Sequence, residues 1–174
     1  MTPKTKATAV KMAREKALGG LEETGSCAYG TVRALQDTFD LQDEPLLKAA
    51  SALTGGIGGR AETCGAMIGA VMMLGSVCGM GRNDGDNGLT KLYESMYQAG
   101  DFFIWFKAQN GCITCSEILT QNAGGVHYDF TDREQVIAAV EAGVLEKCKG
   151  LAQIIAGKAA EILWDELHKV KKHA

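Results

Sequence analysis

Apolar positions in this chain recur at steps of three and four residues, the spacing of one face of an α-helix. Val10, Ala13, Ala17, Leu18 and Leu21 predict a first helix from about Lys4 to Glu23, with Gly25 to end it. Ser26 stands as an N-cap for a second helix, Cys27 to Phe39, with Val32 and Leu35 inward. A third opens near Asp43, tolerates Pro45 in its first turn and carries Leu46, Leu47, Ala50 and Leu53. After a glycine-rich stretch, a fourth runs from Ala61 through Met67, Val71, Leu74 and Cys78. Gly79 to Gly88 reads as loop. A fifth helix spans Leu89 to Ala108, with Leu92, Met96, Phe102, Phe103 and Phe106 expected in the core. A short helix follows Thr114, Gln121 to Thr131 is loop or extended chain, and Asp132 to Gly143 is one more amphipathic segment. The last helix, Leu145 to Val170, points Leu151, Ile154, Ile155, Ala159, Ile162 and Leu163 inward.

No segment alternates apolar and polar residues long enough to read as a strand. The predicted class is therefore all-α: one compact helical bundle over residues 1–174, of about six to seven helices, with residues 1–25 as its N-terminal helix. Composition agrees, with only two prolines in 174 residues, 46% hydrophobic and 22% charged. A chain of this length buries a core without disulfides. The net charge of −3, with no basic stripe, argues against a nucleic-acid partner. The apolar run near Met67 to Val77 is interrupted by glycine and serine and is too short for a membrane span. No apolar stretch follows the basic N-terminus, so a cytoplasmic location is expected.

The segment GGIGGRAETCGAMIG, Gly55 to Gly69, formally contains GxGxxA in Gly56, Gly58 and Ala61. That pattern cradles a pyrophosphate only between a strand and a helix. Here LLKAASALT, which reads as helix, comes before it, so no nucleotide is expected. The glycines instead offer a turn with positive φ and, with Gly65, Gly69, Gly75, Ala66 and Ala70, a flat helix face for close packing. Such a face also makes a helix-to-helix homodimer contact possible.

Six cysteines exceed what a reducing compartment needs for a core, and point to metal or redox chemistry. Cys27 and Cys64 each open a helix, where free N–H groups and the dipole give a route to a lowered pKa. Cys148 lies in the first turn of the last helix. Cys112 and Cys115 form a C-x-x-C, whose two sulfurs can meet one metal or each other. Ser116 stands where a c-type haem site needs histidine, so covalent haem is not expected. Cys78, late in an apolar helix, reads as an ordinary buried thiol. Four thiolates at one point repel unless a cation or iron–sulfur cluster holds them, or some pair as disulfide.

Cys27, the segment Cys64-Gly65-Ala66-Met67-Ile68-Gly69 behind its glycine turn, Cys115-x-Glu-x-Leu119 and Cys148 together resemble the C_GCAxxG_C_C family of redox-active proteins, over residues 26–163. The resemblance implies a redox role with Cys27, Cys64, Cys115 and Cys148 as the shared set. Cys112 and Cys78 are additional to that pattern, and Cys112 is a further candidate ligand. The leading expectation is an iron–sulfur cluster or other thiolate-bound metal that passes electrons to a redox partner protein. Two alternatives stay open. One is a metal-free thiol–disulfide oxidoreductase exchanging through Cys112 and Cys115 or Cys64 and Cys148; the other is a helical interaction module with structural thiols.

Other residues carry less. His127, in GGVHYDF, is kept as a possible ligand, whereas His168 and His173 in the Lys-rich end are expected to be solvated. Asp84 and Asp86 lack the remaining oxygens of a calcium loop and read as a solvated turn. Phe102, Phe103, Trp105 and Phe106 are explained by a helix core. Arg60 fits either a thiolate partner or a surface ion pair, and KVKKH a charge-compensated helix end.

Overall fold

Short polar side chains set where most helices begin. The computed structural model describes residues 2–169, and α1 (Lys6–Thr24) starts behind Thr5, whose hydroxyl accepts the Thr8 N–H. Ser26, Asp43, Thr114 and Asp132 cap α2 (Cys27–Phe39), α3 (Glu44–Ser51), α6 (Cys115–Asn122) and α7 (Arg133–Glu141) in the same way. α4 (Gly65–Cys78), α5 (Gly88–Asn110) and α8 (Glu146–Lys169) complete the set. The class is all-α as expected. Eight α-helices are described, slightly more than the six to seven expected.

Four helices close a ring: α1 packs on α8 and α2, α2 on α4, and α4 on α8. The sequence permits this because α1 presents Ala9, Ala13 and Ala17 at four-residue spacing, and α8 presents Ala152, Ala156 and Ala160. All six are essentially buried, and such small side chains let the two helices approach closely. Larger residues, among them Val32, Leu35, Met73, Leu74, Ile155 and Leu163, fill the interior. Each contributes about 1.5–3 kcal/mol by burial. A smaller cluster of Leu119, Ala139 and Val144 forms under the α6–α7 segment, with Tyr128 and Phe130 packed on it.

Three expected core residues lie outside. Leu92 and Met96 are exposed, and the fully buried aromatic residues of α5, Phe102 and Phe106, lie in its second half. Ile154 is exposed because the inward stripe of α8 runs through Ile155, Ala159 and Leu163. Phe103 and Ile162 are half-buried against the core. α4 begins at Gly65, not Ala61: Ala61 has a φ of 59°, and residues 61–64 are drawn into pairing with residues 113–116.

The turn region differs in two places. Within Gly79 to Gly88 a short 3-10 turn, Gly85–Asn87, precedes α5. Asp84 is not simply solvated: its carboxylate accepts the Gly81 N–H and the Lys91 ammonium, which hold it below the usual carboxylate range. At the far end, His168 is half-buried, stacked on Trp164 with ring centroids 3.9 Å apart. His173 and the rest of the terminal basic run beyond Lys169 lie outside the described residues.

Candidate four-cysteine pocket

The glycine-rich turn is built from consecutive left-handed residues. Gly55, Gly56, Ile57, Gly58 and Gly59 all have φ between 60° and 76°. The turn closes on itself through Gly58 N–H to Ala52 O and Ala61 N–H to Gly55 O. It follows α3 rather than a strand, so the βα geometry of a phosphate cradle is not built here. Its product is the direction of the next segment. Cys64 N–H donates to Ile113 O at 2.9 Å, Ser116 N–H donates to Ala61 O at 2.8 Å, and Thr63 and Thr114 form an antiparallel bridge. This lacing fixes Cys64 and Cys115 side by side at the starts of α4 and α6.

Cys27 is the first residue of α2, and Cys148 stands in the first turn of α8. All four line one cavity of about 610 Å³ between the four-helix ring and the α6–α7 cluster. Its walls are mainly apolar, with Leu21, Ile118, Phe130, Val140 and Leu151 among them, and Glu22, Glu146 and Lys149 add charge. Lys149 bridges the two carboxylates, at 2.7 Å from Glu146 and 3.5 Å from Glu22.

Glycine makes the room. An ideal Cβ on Gly65 would meet Cys27 Sγ at 2.7 Å, and one on Gly56 would meet Cys115 Cβ at 2.8 Å. Gly69 serves the same packing by letting the Ala28 carbonyl approach α4. Gly65 and Gly69 of the expected glycine face are thus used within the chain, against α2, whereas Gly75 is exposed.

The helix starts were expected to lower thiol pKa values, and the structure reverses this for Cys64. Burial pushes it up to about 12, with Cys27 and Cys148 adding to the rise. The Ala66 and Met67 amides pull the other way, but the thiol makes no capping hydrogen bond with them. Burial likewise pushes Cys115 up to about 12, with Cys64, Cys27 and Cys148 adding to the rise, and Cys148 up to about 11, with Cys27 adding. Desolvation therefore outweighs the helix ends at Cys64, Cys115 and Cys148. All are free thiols.

Cys112 does not line the pocket. Its thiol is buried and turned to Asn110, donating to that carbonyl at 3.8 Å, so the C-x-x-C is split between two environments. Cys78 is only half-buried, near Gln98 and Glu166, and also lies off the pocket. His127 is exposed and lines a separate cavity of about 310 Å³ with Arg60, Asp129 and Tyr128. Arg60 acts there on Asp129 rather than on a thiol.

Sequence reading missed Asn122. Its Nδ2 donates to Val144 O at 3.2 Å and reaches Cys148 Sγ at 3.5 Å, while its own carbonyl accepts Lys147 Nζ. Nothing in its local sequence marks it beyond the end of α6. Gly56 was visible as a glycine, but its contact with Cys115 was not.

An all-helical protein with four cysteines gathered at helix starts around one cavity is the class this fold and site define. The chain belongs to the family described as "Putative redox-active protein (C_GCAxxG_C_C)", whose model matches residues 26–162. No curated protein and no solved structure matches it. Among the described residues, no helix is long and apolar enough to cross a membrane.

Proposed function

We propose that Cys27, Cys64, Cys115 and Cys148 bind an iron–sulfur cluster or other thiolate-ligated metal, and that the protein exchanges electrons with a partner protein. The observation that carries this reading is the convergence of four free thiols on one apolar-walled cavity. By itself, burial favours the protonated thiol at Cys64, Cys115 and Cys148; positive metal in the cavity would let them ionise. Among the described residues, no three His, Cys, Asp or Glu side chains are grouped to hold a metal ion. Four cysteines are the ligand set of an iron–sulfur centre. Such a centre supplies one-electron chemistry. The chain's part is to present sulfur ligands, exclude water with apolar walls, and set the surrounding charge through Glu22, Glu146 and Lys149.

A second reading is metal-free thiol–disulfide exchange. Pairwise proximity of the pocket thiols favours it, and Cys64 with Cys148 is then the better pair, since Cys112 is turned away from Cys115. Anaerobic purification, an absorption spectrum, iron and zinc content, and thiol counts before and after reduction decide between the two. Bound metal that is lost in Cys64→Ser and kept in Cys112→Ser supports the first reading. Metal-free protein that gains two thiols on reduction supports the second. Metal-free protein with six thiols in both states sinks both.

A further inference from the structure

The longest helix outside the four-helix ring shows a face that none of the described residues covers. α5 turns Phe102 and Phe106 toward α4, and on its other side Leu89, Tyr93, Met96, Tyr97 and Ile104 are 52–67% exposed. Placed at 100° per residue, these five fall within one strip about a quarter of the helix circumference wide. A contiguous exposed apolar strip of this kind marks an interaction surface more often than singly scattered apolar residues do.

Its two ends carry opposite charge. Asp86, exposed in the turn before α5, marks one end, and Lys107, exposed in the last turn, marks the other. Neither joins an ion pair among the described residues. The ends lie about 30 Å apart at 1.5 Å per residue. A second α5 laid antiparallel, centred between Met96 and Tyr97, sets each Asp86 beside the partner copy's Lys107. The same register puts Leu89 opposite Ile104 and Met96 opposite Tyr97. It also puts Tyr93 opposite Gly100, which is exposed and has no neighbour within 4 Å of where a Cβ would stand. Large meets small, acid meets base, and the match is symmetric, which is what a two-fold isologous contact requires.

We propose that the protein dimerises through α5 in this antiparallel register. This differs from a contact through the glycines of α4, of which Gly65 and Gly69 are used inside the fold. It does not depend on what the cysteines bind.

Sedimentation equilibrium of the purified full chain, from micromolar to several hundred micromolar, tests it. The expected result is the mass of two chains, falling to one on dilution. Met96→Glu should give monomer at every concentration with unchanged helical circular dichroism. Asp86→Lys and Lys107→Glu should each weaken the dimer roughly tenfold, because two symmetry-related pairs turn repulsive together. The double variant D86K/K107E should return to within about threefold of the parent. A single-chain mass throughout overturns the proposal, as does a dimer indifferent to Met96→Glu. Should that variant fail to fold, the charge reversals decide: a double variant as weak as the singles overturns the register.

Discussion

Gly65 and Cys27 occupy each other's space: the position a Gly65 Cβ would take is 2.7 Å from the Cys27 sulfur and 2.8 Å from the Leu53 carbonyl oxygen. The glycine after Cys64 is therefore a requirement of the cysteine arriving from α2. Gly65→Ala should destabilise the protein by about 1–3 kcal/mol, since a backbone oxygen cannot yield easily. It should also expose Cys27 to thiol reagents. Gly75, in the same helix with nothing within 4 Å of its Cβ position, should respond oppositely. Gly75→Ala is expected to stabilise by about 0.5–1 kcal/mol through helix propensity. Urea unfolding of the two variants checks both signs; equal effects would refute the packing argument.

Ile57 is a β-branched residue held at a φ of 65° and half exposed in the glycine turn. Left-handed backbone costs an L-residue roughly 1–2 kcal/mol, more than glycine loses in unfolded-chain entropy. Ile57→Gly should therefore raise stability by about 0.5–1 kcal/mol. A thermal midpoint at or below that of the parent would show that the Ile57 side chain makes a compensating contact.

Thr114 begins α6 with a reciprocal cap, accepting the Glu117 N–H at 3.2 Å and donating to its carboxylate at 2.7 Å. Thr114→Ala should cost about 1 kcal/mol. Because Cys115 is the next residue, its amide and thiol should become more accessible before the rest of the helix does. Hydrogen exchange read residue by residue separates this local fraying from global loss; uniform change would count against it.

Alkaline pH should unfold the reduced, metal-free chain. Its Cys64 and Cys115 thiols sit at about 12 and Cys148 at about 11, against an ordinary 9.0. Above about pH 9 the unfolded chain gives up protons that the folded chain keeps, so stability is intact below that value. It falls as the pH climbs through the folded-state range. Urea midpoints taken across this window should drop more steeply for the parent than for a variant with all three thiols replaced by alanine. Parallel slopes would remove the thiols as the cause.

Much of the fold was legible because its signals are local. Ser26, Asp43, Thr114 and Asp132 are caps that act over three residues, and the inward stripe of α8 follows from its own period. Met96 shows where that reasoning fails. An apolar residue at helical spacing says a helix has an apolar side, not that the chain has something to put on it. Cys64 shows the same limit in electrostatics: the helix start was readable, but the desolvation that overrides it comes from walls supplied by other segments.

By itself the sequence determined the helical class, the helix starts at Cys27 and Cys115, and the left-handed turn before Cys64, since all of these are set by neighbours along the chain. Only the tertiary structure decided which sulfurs meet. Residues 61–64 pair with residues 113–116, Asn122 reaches Cys148, and Cys112 turns toward Asn110. Those choices rest on contacts between segments far apart in sequence, whose fit depends on the shape of the whole packed interior.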